Sequence, residues 1–159
     1  MSGAHITIEV DNAAVLRALG DLIRRVQDPS GAMAEIGEHL QRTTQDRFAS
    51  QRAPSGAPWA PNTEVTRARK VNPNILTESG LLGDLIRWQL ADGGRGVEVG
   101  SDRAYAAVQH FGQPQGASGK TKRGGPIPWG DIPARPFLGL SAADERAILA
   151  ILRDSISGH

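Results

Sequence analysis

Large apolar side chains are scarce in this chain, and their scarcity limits the folds open to it. Leu, Ile, Val and Phe (13, 11, 8 and 3 residues) make up 35 of the 159 residues, or 22%, only slightly above the roughly 20% below which chains tend to remain disordered. The net charge is +1, so self-repulsion does not favour disorder. We therefore expect one domain over residues 1–159 with a thin core. Because thin cores are often completed between subunits, the composition also favours an oligomer.

The first third of the chain is patterned for a strand and two helices. Ile6, Ile8 and Val10 alternate with polar residues, which predicts a half-buried strand. Asp11 or Asn12 can then cap a helix that ends before residues 28–31. Its apolar face consists of Val15, Leu16, Leu19, Leu22, Ile23 and Val26. A second helix over residues 32–49 has an apolar side of Met33, Ile36, Leu40 and Phe48 and a polar side of Glu35, Glu38, Arg42, Asp46 and Arg47.

The residue pattern in the middle of the chain predicts loops, a hairpin and short helices. Residues 51–62 are rich in Pro, Ser and Gly around Trp59, and residues 63–71 fit a short polar helix. Alternating runs over residues 83–100 flank an Asp-Gly-Gly turn, which predicts a β-hairpin. Its apolar residues are Ile86, Trp88 and Leu90 on one strand and Val97 and Val99 on the other. A helix over residues 103–111 is expected to turn Tyr105, Val108 and Phe111 inward and to stop at Gly112.

Residues 113–133 form the most unusual segment, rich in glycine and proline around the basic cluster Lys120, Lys122 and Arg123. A loop of this length inside a compact domain is usually functional or disordered. Ordering it costs roughly 1–2 kcal/mol per residue, so we predict a flexible loop that becomes ordered mainly by contact with neighbours.

The C-terminal part predicts one more helix. Ser141 and Asp144 fit a capping box, with Glu145 beside them in the first turn. The apolar residues that line this helix are Ile148, Ile151, Leu152 and Ile156. The predicted fold class is therefore α+β, with a small antiparallel sheet packed against two N-terminal helices and a C-terminal helix, and with a long mobile loop.

No pattern of an enzyme, a cofactor site or a metal site emerges. The absence of cysteine excludes disulfides, thiolate nucleophiles and cysteine zinc sites. Residues 119–121, Gly-Lys-Thr, resemble the end of a phosphate-binding loop, but Pro114 stands where that loop needs its first glycine. His39 lacks the second histidine of a zinc protease helix, and no nucleophile, base and orienting group come together. We predict a protein without enzymatic activity, cofactor or metal.

The sequence predicts neither secretion nor membrane insertion. Residues 1–12 contain no apolar run of a signal peptide, and no stretch approaches the roughly 20 apolar residues of a membrane span. We therefore expect synthesis in the cytoplasm and no membrane partner.

The three tryptophans differ in context. Trp88 lies on the apolar face of a predicted strand and is expected in the core. Trp59 and Trp129 lie among prolines and glycines in loops, where tryptophan typically either anchors a partner or staples a loop.

Six short motifs occur in an order that resembles one known family. They are Arg47-Phe48, Pro54-Ser55-Gly56-Ala57-Pro58-Trp59, Ile75-Leu76-Thr77-Glu78-Ser79-Gly80-Leu81-Leu82, Tyr105-Ala106, His110-Phe111-Gly112 and Ile132-Pro133-Ala134-Arg135-Pro136-Phe137-Leu138-Gly139-Leu140-Ser141. Over roughly residues 35–155 the chain resembles the phage virion morphogenesis, or tail completion, family of Mu-like and P2-like phages. Ser55 departs from the acidic residue expected there. Residues 77–137 resemble, more loosely, the small head-tail connector proteins of other tailed phages.

The resemblance implies a structural subunit of the phage neck, located in the virion at the head-proximal end of the tail and assembled in the host cytoplasm. It implies partners as well: further copies of the chain in a ring of six, neighbouring neck or connector proteins, and tail tube or sheath proteins. DNA would pass through the ring without sequence-specific binding. Alternatives are a head-side connector subunit, an assembly factor absent from the virion, and a nucleic-acid-binding assembly factor that uses Lys120, Lys122 and Arg123.

The last of the six motifs, residues 132–141, also has a physical interpretation. Pro133 and Pro136 hold the backbone extended, so that Phe137 can anchor the C-terminal helix against the core. Arg135 either belongs to a plain connector or contacts another subunit. The candidate interface residues are therefore Trp59, Lys120, Lys122, Arg123, Trp129, Arg135 and Phe137.

Overall fold

The computed structural model describes residues 12–70, 74–76 and 81–157, with Val65 and Leu81 described by their backbone only. The helices are α1 (Ala13–Arg25), α2 (Ser30–Ser50), α3 (Glu64–Arg69), α4 (Leu81–Asp84), α5 (Ala106–Phe111) and α6 (Ala142–Ser157), and the strands are β1 (Arg87–Ala91) and β2 (Gly96–Gly100). The predicted α+β class is confirmed. The predicted strand over residues 6–10 and the end of the predicted helix over residues 63–71 lie outside the described residues.

Local sequence sets where the first two helices begin and end. The Oδ1 atom of Asn12 accepts hydrogen bonds from the amides of Ala14 and Val15 at 3.0 and 3.1 Å, which satisfies two of the amides that a helix start leaves free. Helix α2 follows Pro29 and ends at Gln51, which adopts a left-handed conformation with φ of 56°. This is a common way for a helix to terminate.

Helix α2 lies at the centre of the packing. It contacts α4, α6 and both strands, while α1 packs against α6. The hairpin packs tightly against α2 at Gly37, where an added Cβ atom would lie 2.6 Å from Cδ2 of Trp88. A glycine inside a helix costs about 1 kcal/mol relative to alanine. It is accommodated here because the indole ring needs the space.

The two strands form the predicted antiparallel hairpin. Trp88 pairs with Val99 and Leu90 pairs with Val97. The connecting 3-10 turn, Asp92–Gly94, has positive φ at all three residues, a conformation that glycine adopts without steric cost.

The first strand is shorter, and its apolar face less buried, than predicted. Ile86 is fully buried but precedes β1, and the residues just before it form α4. Leu90 is 43% exposed, and Trp88, expected in the core, is only half-buried and belongs to neither core cluster.

The core consists of two clusters, and α2 contributes to both. The first contains Phe48, Trp59, Leu82, Ile86, Ala106, Phe137 and Leu138. The second contains Val15, Leu22, Ala32, Met33, Ile36, Ile148 and Leu152. Dividing few apolar residues between two clusters leaves each of them small, which agrees with the scarcity seen in the sequence.

The inward face predicted for the helix over residues 103–111 is wrong. Tyr105 is 43% exposed and Phe111 is 59% exposed, whereas Ala106 and His110 are buried. The helix is only six residues long, and the face that it buries carries His110, which contacts Phe137.

The buried face of α1 is also narrower than predicted, since Val15 and Leu22 are buried but Leu16 and Ile23 are exposed. The polar side predicted for the second helix is wrong at Arg47, which is buried. Within the described ranges no helix is both long and apolar enough to cross a membrane.

Candidate assembly interface

The run from Ala134 to Ser141 enters the core at Phe137. The Phe137 side chain is fully buried, and its ring lies 5.5 Å from that of Phe48 and 5.1 Å from that of His110, centroid to centroid. The amides of Phe137 and Leu138 point to Nδ1 of His110 at 3.3 and 3.5 Å. The side chain therefore anchors the run within its own subunit, as expected from the sequence, and leaves no surface for a partner.

Two other interface candidates are also directed into the subunit. Trp59 is 5% exposed, and its Nε1 atom donates a hydrogen bond to the carbonyl of Pro136 at 2.7 Å. Arg135 is 8% exposed, and it donates hydrogen bonds to the carbonyls of Ala60 and Pro61 at 2.8 and 3.1 Å. Burial lowers the pKa of Arg135. Together these side chains staple residues 51–62 to the Phe137 run.

A buried ion pair joins α2 to the start of α6. Arg47 lies 2.5 Å from Oδ2 of Asp144, and the two side chains are 8% and 1% exposed. Arg47 also donates hydrogen bonds to the carbonyls of Phe137 and Gly139 at 2.8 and 3.3 Å. His39 lies 2.9 Å from the other carboxylate oxygen. One guanidinium thus fixes both the Phe137 run and the helix that follows it.

Asp144 is also part of the predicted capping box, which the structure confirms. Its carboxylate accepts a hydrogen bond from the Ser141 amide at 2.9 Å, and its own amide donates to Oγ of Ser141 at 3.0 Å. Burial raises the pKa of Asp144, but the Ser141 amide, the charge of Arg47 and hydrogen bonds from Thr43 and His39 outweigh it, so the pKa lies below its usual value. The carboxylate is therefore ionised at neutral pH.

Residues 113–133, called the arm from here on, fold back on themselves. Gln113 and Ile132 exchange two backbone hydrogen bonds, of 2.9 and 2.7 Å, at the base. Further out, the Ser118 amide donates to the carbonyl of Ile127 at 2.9 Å, and the Thr121 amide donates to Gly125 at 2.8 Å near the tip. The arm is thus a paired, irregular hairpin and not the structureless loop that its composition suggested; its mobility stays a prediction.

The remaining interface candidates are exposed on the arm. Lys120, Lys122 and Arg123 are all exposed close to its tip, and none of them has an ion-pair partner within the described part of the chain. Trp129 is 82% exposed, and its carbonyl accepts a hydrogen bond from the Gln115 side chain at 2.7 Å. The arm therefore presents an aromatic side chain and three cations to solvent.

A cleft of about 690 Å³ opens between α1, α2, the hairpin and the start of α6. Its apolar lining includes Val15, Leu16, Leu19, Met33, Ile36 and Leu40. No residue of α5 or of the arm lines it. No group of three or more His, Asp or Glu side chains in the described ranges is placed to hold a metal ion.

Sequence reasoning missed Arg47 and His110 as buried polar groups and missed the cleft altogether. Both residues lie in motifs that carry the family resemblance, which was the available signal. Periodicity gave no signal, because it treats a polar side chain as exposed.

The described chain is thus an α+β fold with two core clusters, a Phe137 run stapled to residues 51–62, and an exposed, self-paired arm. The chain matches the model of the phage virion morphogenesis family over residues 10–157 and belongs to that family. Its role is therefore structural or concerned with assembly of the phage particle. No curated protein and no solved structure matches it significantly.

Proposed function

We propose that this protein is a subunit of the neck of a tailed phage, where it completes the tail and joins it to the head. Copies of the chain form a ring, for which we propose six subunits, at the head-proximal end of the tail. Its neighbours are other neck or connector proteins and the tail tube or sheath. It is assembled in the host cytoplasm, works without catalysis, and lets DNA pass without reading its sequence.

The observation that carries this proposal is the arm. Trp129 is 82% exposed, whereas tryptophan side chains are usually largely buried. The three cations of the tip are also exposed and have no ion-pair partner in the described residues. The exposed indole ring is costly to leave in solvent, and its burial against other proteins is what a structural subunit of a particle provides.

The basic tip favours one alternative, a nucleic-acid-binding assembly factor. Lys120, Lys122 and Arg123 lie on a glycine-rich turn that can approach a phosphate backbone. If they bind DNA, affinity must fall steeply with salt, because each phosphate contact releases counterions. A gel shift at two salt concentrations, with the triple Lys120→Ser/Lys122→Ser/Arg123→Ser variant as control, tests this alternative.

The proposed role is tested by shortening the arm. Ser118 and Ile127 face each other across it, so residues 119–126 can be replaced by an Asn-Gly turn, which suits a tight hairpin. The variant should melt like the parent, because the excised residues lie outside both core clusters. When the shortened variant is the phage's only source of this protein, electron micrographs should show heads and tails that accumulate without joining.

The triple serine variant is the matched control for this experiment, since it keeps the length of the arm and removes its charge. Loss of joining in both variants assigns the role to the charged tip, and loss in the shortened variant alone assigns it to the length of the arm. Normal yields of complete phage with the shortened, folded protein would refute the proposed role of the arm in joining.

A further inference from the structure

The exposed large apolar side chains of the described residues fall into two groups. Four lie in α5, at the residue before it, or in the arm: Tyr105, Phe111, Ile127 and Trp129. Three belong to α1 and β1, which are two of the elements that form the cleft: Leu16, Ile23 and Leu90. The arm therefore exposes apolar side chains, of which Trp129 is the most exposed, and the cleft is a concave surface whose lining includes Leu16; the arm and the cleft share no residue.

We propose that the arm of one copy docks into the cleft of the next copy, with Trp129 as the anchor. This deepens the proposed function, because it assigns the contact that builds the ring. A projecting surface that pairs with a different, concave surface on an identical neighbour makes a head-to-tail contact. Repetition of such a contact closes into a ring when the rotation between copies permits it.

The apolar area of the arm side is sufficient for the centre of such an interface. Aromatic side chains can each bury ~150–250 Å², so the exposed parts of Tyr105, Phe111 and Trp129 amount to roughly 300–450 Å² in all. A standard interface buries ~800 Å² on each partner. The rings would therefore form the buried centre, and the polar backbone and side chains of the arm would form the rim, which is how protein interfaces are usually built.

Charge complementarity does not explain why the arm would dock into the cleft. Its lining carries both signs, with Arg87 and Arg95 beside Glu98 and Asp102, and the cationic tip of the arm gains little there. Docking through Trp129 should consequently depend only weakly on salt. Binding of the same arm to DNA would depend strongly on salt, so the two partners can be told apart.

The absence of cysteine from the chain allows a direct test by cross-linking. Gly130 adjoins Trp129 and has open space around an added Cβ atom, and Leu16 is 51% exposed and lines the cleft. The Leu16→Cys/Gly130→Cys variant is incorporated into phage particles and treated with a short thiol-to-thiol cross-linker. A denaturing gel should show a ladder of multimers that ends at the number of subunits in the ring. Either single variant can link at most two copies.

The matched control is Asp154→Cys/Gly130→Cys, since Asp154 is exposed on α6 and does not line the cleft; it should give no ladder. Adding Trp129→Ser to the Leu16→Cys/Gly130→Cys variant should reduce the yield of multimers at least about tenfold, as for a central interface anchor.

Three results would overturn the docking: particles that contain the chain without a ladder, equal ladders in variant and control, or a link from Gly130→Cys to a different protein. If the ladder forms but the chain lies outside the neck, the proposed function fails and the docking stands. A chain located in the neck without a ladder refutes the docking alone.

Discussion

The buried ion pair between Arg47 and Asp144 leads to a quantitative stability prediction. Its side chains are only 8% and 1% exposed, so solvent screens the pair little. Removal of one partner from such a pair typically costs about 3–5 kcal/mol, because the other charge stays buried without compensation. A domain of this kind has an unfolding free energy of about 5–15 kcal/mol in total. A single substitution should therefore remove a large part of it.

Two substitutions separate the charge from the other roles of these residues. Asp144→Asn keeps an acceptor oxygen for the capping box, and Arg47 still has the carbonyls of Phe137 and Gly139, so we expect a loss near ~3 kcal/mol. Arg47→Met also gives up those two hydrogen bonds, so we expect a loss near ~5 kcal/mol. The double variant contains no unpaired charge and should lose at least ~1 kcal/mol less than the two single losses combined.

Urea unfolding is the appropriate assay, because urea is uncharged and does not screen the pair. Arg42→Met on the exposed side of the same helix is the control and should change the unfolding free energy by less than about 0.5 kcal/mol. If both single variants lose less than ~1 kcal/mol, or if their losses add to within ~0.5 kcal/mol, then the pair does not fix α6 to α2 as described.

Three further predictions concern packing and pH. Phe137→Ala should cost about 3–5 kcal/mol, because a fully buried ring leaves a cavity; a thermal melt like that of the parent would contradict its place in the core. Gly37→Ala should cost about 1–3 kcal/mol through overlap with Trp88, whereas Gly31→Ala in the same helix has open space and should be neutral or stabilise by up to ~1 kcal/mol. Equal melting temperatures for those two variants would mean that the close contact does not exist. Burial lowers the pKa of His110 from its usual 6.5, so the folded state favours the neutral ring. The stability that the neutral His110 ring contributes is complete above pH 6.5 and is lost as the pH falls through the pKa of the folded state. His110→Asn supplies an acceptor oxygen that does not titrate, so the urea midpoint of this variant should change less with pH between about pH 7 and about pH 5 than that of the parent. If the urea midpoints of variant and parent change equally with pH, His110 is not the cause of the pH dependence.

The sequence alone determined those features that depend on neighbours a few residues apart. Asn12 caps α1, Ser141 and Asp144 form their capping box, and Asp92–Gly94 turn between the strands. In each case the interacting groups lie within about one helical turn of each other, so spacing and residue type suffice. The family resemblance likewise depended on the order of short motifs and was confirmed.

The orientation of polar side chains toward the core depended on partners far along the chain. Arg47 meets Asp144 across 97 residues, and His110 accepts from the amide of Phe137 across 27 residues. A helical pattern assigns charged residues to the solvent side, because an unpaired charge is costly to bury. Only the folded chain supplies the opposite charge and the carbonyls that make burial of Arg47 favourable.

The two loop tryptophans show the same division between sequence and tertiary structure. Trp59 and Trp129 both lie among prolines and glycines, and the sequence left each of them as either a staple or an anchor for a partner. Tertiary structure places Trp59 against Phe48 with the carbonyl of Pro136 within reach of its Nε1 atom, so both its apolar ring and its polar tip are satisfied inside the subunit. Trp129 lies on an arm paired with itself, where no core element reaches its ring, and it stays 82% exposed. Composition determined that the chain has a loop at each position, and the packing of residues 134–138 decided which of the two loops is covered.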